Sequence, residues 1–507
     1  MVRGRRADTR RKRGTRGQTG KDGSSMESRW AWWLAVAGWT VRVVMFPVIV
    51  LSVRRPTTCL AWLAVVFFEP WVGAPLYALL GGIRLGRRRL EQRVRLALRY
   101  HPPATSTQQA ITEAERRLKA DRRVLAGLAQ RVGGLPPVSG NAVTLTADSQ
   151  AFVDQLIADI DAATDHAHLL FYIYRDDYVG RAVSDALIRA AARGVTCRVL
   201  VDAVGARPIA RRLAPQMQRQ GVQVVFALPA NVIRRRFARI DVRNHRKIAV
   251  IDGRIGYTGS QNIVEPTYGH RRAGEWHDIM ARIRGPAVNH LQQIFVEDWF
   301  YETGEPLAPD DAVGQRYFPV PEQAGETTLQ VIPTGPDRPT ENFSYLMVEA
   351  IHQARRRVVV TSPYFVPDEP LFLALKLAAL RGLDVRIILP KKSDHPVVHA
   401  AAMFYCRELF NSGVRILRYR DGLLHAKTLT TDERFGFFGT ANFDIRSFHL
   451  NFEVNVQTFD PDLIHQLLAL QEDYIRRCDE MTALVWHRRP RWKYLAEECA
   501  KLLSPLL

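Results

Sequence analysis

Two short stretches of the chain carry the same three side chains at the same spacing. NHRKIAVIDG, from Asn244, holds His245, Lys247 and Asp252; LHAKTLTTDE, from Leu424, holds His425, Lys427 and Asp432. On a strand, residues i and i+2 share a face, so the imidazole and the ammonium of each copy point the same way. Such a pair handles phosphate: the ammonium neutralises non-bridging oxygens while the imidazole attacks phosphorus or moves a proton. Asp252 and Asp432 complete the candidate catalytic set. They stand at an odd offset from the His, however, where DGR and DER turn the strand, and there they read as anchors for turns or ion pairs. At this chain's composition one HxKxxxxD is expected about 0.02 times and two on the order of 10⁻⁴ times, so the repetition is the signal. Only ten of the 71 Lys and Arg residues are Lys, yet both motif positions are Lys. A site needing generic positive charge would have drawn Arg.

A Gly-polar-x-Asn turn follows each copy at the same offset: GSQN, with Ser260 and Asn262, and GTAN, with Thr440 and Asn442. Hydroxyls and amides in such turns can donate to phosphoryl oxygens. Farther on, Asp278 in EWHDI and Glu453 in NFEVN are candidates for the carboxylate that fixes a histidine tautomer and supports its cation. His166, His168, His395, His399 and His449 lack metal-site spacing and read as structural or surface residues. The five cysteines are scattered and free of CxxC spacing, which argues against a disulfide framework or a zinc site. RRRFAR, from Arg234 to Arg239, is either a solvated face or a dock for anionic headgroups.

The elements that must position these residues are α/β in pattern. β-rich runs such as HLLFYIY, TCRVLVD and QVVFAL alternate with amphipathic stretches such as VSDALIRAAARG, the signature of βα units around a mixed sheet. The pattern occurs twice: ALIRAAARGVTCRVLVD precedes the first His and ALKLAALRGLDVRIILP the second. This predicts a first lobe over 136–302, a Gly-, Pro- and acid-rich linker over 303–328 and a second lobe over 329–507. A polar helical connector over 84–135 reads as a solvated or membrane-surface helix.

Ahead of the lobes, residues 1–29 carry ten Lys or Arg against three acids and read as a disordered basic tail, with translation from Met1 or Met26 both open. Apolar stretches from Trp30 to Val53 and from Thr57 to Ile83 predict a transmembrane hairpin over 30–83. Basic residues before the first stretch and Arg84, Arg87, Arg88 and Arg89 after the second predict that both ends face the cytoplasm. Arg42 and Glu69 fall at similar depth, so they either pair across the hairpin, or Arg42 snorkels while Glu69 and Pro70 break the second helix. The net charge of +20 points to anionic partners without choosing among nucleic acid, acidic lipid and phosphate substrates.

The duplicated motif resembles that of the phospholipase D superfamily, and the chain looks like its bacterial cardiolipin synthases. The likeness extends to the apolar N-terminal region, RGPAVNHLQQIFVEDW, SPYFVPDEPLFLAL, RGLDVRIILPKKSD, NFDIRSFHLNFEVN and the terminal LLSPLL. It runs from about Trp30 to Leu507 and leaves out the basic tail. The resemblance implies two α/β/α sandwich lobes whose motifs meet in one cleft, and catalysis without metal or other cofactor. It also implies transfer of a phosphatidyl group between two phosphatidylglycerols through a phosphohistidine, giving cardiolipin and glycerol. His245 is then the nucleophile and His425 the acid and later the base, or the reverse. Implied partners are phosphatidylglycerol and anionic membrane lipids at the bacterial inner membrane, with no nucleic acid. Two departures stand out: Thr440 where Ser is commoner and His277 where Arg is commoner. A hydrolase, a transferase using phosphatidylethanolamine, a nuclease and a lipid-binding scaffold are the rival readings.

Overall fold

The computed structural model describes residues 22–53, 56–81, 91, 108–229, 241–268, 274–307, 316–337, 343–502 and 504. Most of the basic tail, Arg84 and Arg87–Arg89, the RRRFAR run and the centre of the linker lie outside the described residues.

The N-terminal unit comprises three helices, α1 (Asp22–Ser52), α2 (Pro56–Phe68) and α3 (Pro70–Leu80). Residues 22–29, read from the sequence as tail, are the first turns of α1. The second apolar stretch, expected as one arm of a hairpin, is divided between α2 and α3. Glu69 leaves the helical region (φ −130°, ψ 73°) because Pro70 follows it, and the chain folds back there. Trp62 and Tyr77 consequently meet with ring centroids 5.3 Å apart. Gly73 lies so close to α2 that a Cβ there would stand 2.8 Å from the Val66 Cα. Helix α1 is long and apolar enough to cross a bilayer over Arg29–Ser52. With 13 and 11 residues, α2 and α3 reach about 20 Å and 16 Å, short of about 30 Å of hydrocarbon. No ion pair joins Arg42 and Glu69 among the described residues. Arg42 instead donates from Nε to the Phe67 carbonyl, 2.7 Å away, and lies over the Trp39 and Phe67 rings.

The second unit holds both lobes. The first contributes β1 (Val138–Thr146), β2 (His166–Phe171), β3 (Thr196–Asp202), β4 (Gln223–Ala227), β5 (Lys247–Ile251), β6 (Ile255–Gly259), β7 (Trp276–His277) and β8 (Met280–Arg284). The second contributes β9 (Thr327–Thr334), β10 (Arg357–Thr361), β11 (Phe365–Val366), β12 (Asp384–Pro390), β13 (Arg415–Tyr419), β14 (Leu423–Leu424), β15 (Thr428–Thr431), β16 (Phe435–Gly439), β17 (Phe443–Asp444), β18 (Glu453–Thr458) and β19 (Cys478–Glu480). The main strands form one 15-stranded sheet in the order β19-β13-β12-β10-β15-β16-β18-β9-β1-β8-β6-β5-β2-β3-β4. Apart from β19, the order reads the same outward from the β9–β1 seam, as a duplication requires. In each half, three parallel strands with helical crossovers (β2-β3-β4 and β10-β12-β13) flank an antiparallel set that carries the motif strand, β5 or β15. At the seam β1 and β9 pair antiparallel, with Val138 opposite Leu329. An apolar cluster runs across that seam, joining Ile283, Leu291 and Phe295 to Val331, Val456 and Leu463. Helix α4 (Ala287–Thr303), from RGPAVNHLQQIFVEDW, packs on β5, β6 and β9 and so touches both halves.

The connector is also corrected. Its helix Ala120–Gly133 is not a solvated or membrane-surface element, because Leu125, Ala126, Ala129 and Val132 enter the second lobe's core beside Ile332 and Phe343. Those positions form one helical stripe that needs an apolar partner.

Candidate active site

Each motif histidine takes its carboxylate from the opposite lobe. His245 donates from Nδ1 to Glu453 Oε2 at 2.9 Å, with the Thr440 carbonyl at 3.1 Å. His425 donates from Nδ1 to Asp278 Oδ1 at 2.6 Å. The exchange follows from two short inter-lobe pairings. Asn244 bridges Phe452, so the His245 amide donates to the Phe452 carbonyl (2.8 Å) and Glu453 comes next in the chain. Strands β7 and β14 pair in parallel, so the His425 amide donates to the His277 carbonyl (2.8 Å) and Asp278 comes next. With Nδ1 committed to a carboxylate, the Nε2 of each ring is left for chemistry.

Both lysines are fully buried. Lys247 Nζ donates to the His245 carbonyl at 2.7 Å, and Lys427 Nζ to the His425 carbonyl at 2.5 Å. Each ammonium is thereby held beside the ring two residues before it, as the shared strand face requires.

Of the two supporting roles open to the turn residues, binding phosphate or orienting a histidine, the hydroxyls sit for the second. Ser260 donates from Oγ to Asp278 Oδ1 (2.5 Å) and accepts from the Ile279 amide. Thr440 donates from Oγ1 to Glu453 Oε2 (2.6 Å) and accepts from the Val454 amide. The expected phosphate donors are thus committed to the carboxylates that orient the histidines. The glycine before each makes this approach possible. A Cβ at Gly259 would meet the Ile279 carbonyl at 2.2 Å, and one at Gly439 would meet Asn455 Oδ1 at 2.4 Å. Asn262 Oδ1 accepts from the Ile173 amide and fixes the loop after β2. Asn442, also buried, has its Oδ1 without a partner among the described residues.

Asp252 and Asp432 do not reach the cleft, which corrects their grouping with the catalytic candidates. Asp252 accepts from the amides of Thr164, Asp165 and His166, and Asp432 from those of Arg355, Arg356 and Arg357. Both sit at positive φ, 53° and 52°. A short acid tolerates that backbone because its carboxylate gathers the amides ahead of the next strand.

The electrostatics set a poised, asymmetric pair. Burial pushes His245 down to about 4 against the pull of Glu453, with Lys247 adding to the fall. His425 is also lowered, by burial and then Lys427, with Asp278 opposing. Burial alone would raise both carboxylates, but the histidines and lysines outweigh it and keep them ionised, Asp278 at about 2. Burial also lowers Lys247 to about 8 and Lys427 to about 7. Each lysine depresses the other half's histidine as well as its own, a sign that the two motifs share one site.

Sequence reasoning missed several neighbours. Tyr172 meets the His245 ring edge-on at 4.8 Å, and Trp276 lies 4.5 Å from the His425 ring. Arg246, inside the first motif, is buried against Asp298 at 2.8 Å and reaches the Glu453 and Thr334 carbonyls of the second lobe. Its type between His and Lys was the available signal, since the second copy has Ala426 there. His277 Nε2 lies 3.0 Å from the Asp421 carbonyl, which accepts its hydrogen bond. Among the described residues no group of three His, Cys, Asp or Glu could hold a metal.

A family model described as "Cardiolipin synthase, PLD-like domain" matches residues 156–299 and 347–474, one segment in each lobe. The chain belongs to this family. Among curated relatives, the cardiolipin synthase A of Pectobacterium carotovorum is 36% identical over 483 residues, spanning 94% of this chain and 97% of the relative. That of Proteus mirabilis is 36% identical over 487 residues (94% and 97%), and that of Yersinia pseudotuberculosis 34% over 487 residues (95% and 98%). Among solved structures, phosphatidylserine synthase from Haemophilus influenzae superposes with a TM-score of 0.57 at 16% identity, covering 76% of this chain and all of that one. At that identity the likeness speaks for the fold, a duplicated phospholipase D-like α/β architecture.

Proposed function

We propose that this family member is a phosphatidyltransferase of the phospholipase D type, a cardiolipin synthase that converts two phosphatidylglycerols into cardiolipin and glycerol. The observation that carries the chemistry is the exchanged pair of histidine–carboxylate couples with a lysine beside each. A phosphodiester entering between the rings brings negative charge, which the two ammonium groups neutralise. His245, the ring held further toward neutrality, attacks phosphorus through Nε2. His425, on the shorter bond to Asp278, gives its proton to the departing glycerol oxygen as the P–O bond breaks. The phosphatidyl group is then on His245. A hydroxyl of the second phosphatidylglycerol gives its proton to His425 and attacks phosphorus, the P–N bond breaks, and both rings return to their starting states.

The reaction runs on lipid substrates, and the apolar α1 fits membrane association. The finer arrangement, a multi-pass anchor with both lobes on the cytoplasmic face of the inner membrane, is supported by basic residues flanking the apolar region at both ends. It requires α2 and α3 to open into one span. A cysteine placed between Ser52 and Pro56 and labelled from outside intact spheroplasts tests it: labelling supports two crossings, and protection with an accessible N-terminus refutes them.

Purified full-length protein supplied with labelled phosphatidylglycerol in mixed micelles should form cardiolipin and release glycerol in equal amounts. Phosphatidic acid as the main product would instead make the chain a hydrolase.

A further inference from the structure

Beside His245 the first lobe opens into a pocket of about 600 Å³ whose lining includes Tyr172, Gly205, Tyr268 and three arginines, Arg175, Arg207 and Arg211. Tyr172 is shared between the two: it lines the pocket, and its ring meets the His245 imidazole edge-on with centroids 4.8 Å apart. The loop that carries Gly205 is tied to the motif strand by the buried Asp202, which accepts from the Val204 and Gly205 amides and from the amide of Asn244, the residue before His245. Pocket and nucleophile are therefore held as one piece.

None of the three arginines has a carboxylate within ion-pair distance among the described residues, although most arginines of the lobes are paired. Arg175 lies 4.3 Å over the Tyr268 ring, and its buried Nε has no hydrogen-bond partner. Three unpaired guanidinium groups around one concavity call for an anion, and their forks match phosphate oxygens. The segments that follow β10 and β12 in the second lobe, residues 362–368 and 391–395, carry no arginine, and there Tyr364 donates to Asp394 at 2.9 Å.

We propose that this pocket binds the phosphodiester of the second phosphatidylglycerol, the acceptor, and so presents its glycerol hydroxyl to the phosphohistidine. The inference rests on transfer between two phosphatidylglycerols being the reaction. Each acceptor then carries a phosphate three carbons from the attacking oxygen, which water and free glycerol lack. The arginines thereby select a lipid alcohol over the small neutral ones.

The test separates the two half-reactions in full-length protein. Exchange of labelled free glycerol into phosphatidylglycerol needs only formation and reversal of the phosphohistidine, whereas cardiolipin formation also needs the second lipid. The Arg207→Gln/Arg211→Gln double variant, altered at exposed positions, should lose about tenfold in cardiolipin formation at low surface concentrations of phosphatidylglycerol while glycerol exchange stays within about twofold. Arg175→Gln should act in the same direction and Arg175→Lys should recover part of the loss. Equal loss of both reactions, or loss of neither, overturns the acceptor site. Failure of the wild-type protein to make any cardiolipin, with glycerol exchange intact, would instead overturn the reaction itself.

Discussion

The two histidine sites are copies that have kept one feature and changed another. Both retain the interior: lysine on its own histidine's carbonyl, hydroxyl on carboxylate, carboxylate on the other lobe's ring. They differ in what surrounds it. His245 is flanked by Tyr172, an arginine-lined pocket and the buried Arg246, while His425 has Trp276 and Ala426. The charge that phosphorus meets is therefore nearly symmetric, and the surroundings that leaving and entering groups meet are not. Duplication preserves the part that any phosphodiester needs and leaves the rims free to diverge.

Exchanging the carboxylates for amides is expected to break that comparison most. Asp278→Asn and Glu453→Gln should each lower kcat by about 10³-fold, since both disturb tautomer and cation support. The losses should differ with substrate. Replacing glycerol by a nitrophenol leaving group should rescue Asp278→Asn, whose histidine is proposed to protonate the leaving oxygen, and leave Glu453→Gln unrescued. Rescue of Glu453→Gln alone would reverse the two roles.

Lys427→Arg should cost about 10²-fold in kcat/KM, because a guanidinium cannot occupy the compact position against the His425 carbonyl. Lys247→Arg should behave alike, and comparing the two measures how symmetric the phosphate clamp is.

The pH profile sharpens the comparison further. A His245 held at about 4 stays a free base at neutral pH and loses nucleophilicity as pH falls through that value. Lys427 at about 7 and Lys247 at about 8 lose their charge as pH rises. Initial rates at low substrate should therefore give a kcat/KM that declines on both sides, its alkaline limb beginning as the lowered His425 loses the proton it must donate and steepening beyond about tenfold per pH unit once the lysines also lose theirs. The alkaline limb of kcat should lie higher, because bound phosphate favours the ammonium forms.

The last effect concerns stability, with no loss of a reacting group. Arg246→Met leaves Asp298 buried without its cation and should destabilise the lobes by about 3 kcal/mol in denaturant titration. Arg246→Met with Asp298→Leu should recover most of that loss.

Much of this was readable before any fold was known. The duplicated HxK pairs, the Gly-polar-x-Asn turns and the two acids are local patterns, and a strand's alternation is enough to put His and Lys together. The βα rhythm announced the lobes, and Pro70 after Glu69 carried the signal for the break in the second apolar stretch. The stripe of Leu125, Ala126, Ala129 and Val132 likewise announced a buried helix, though its polar neighbours masked it. Tyr172, Trp276 and the unpaired arginines had no such local signature.

The sequence by itself determined which groups can act on phosphorus, because side-chain type and strand periodicity are properties of neighbouring residues. Tertiary structure alone decided which carboxylate serves which histidine. The bonds concerned join residues 147 and 208 positions apart, and they exist only where the β7–β14 and Asn244–Phe452 pairings bring one lobe's edge against the other's. Such pairings follow from how two apolar faces close on a common core, which no spacing along the chain records.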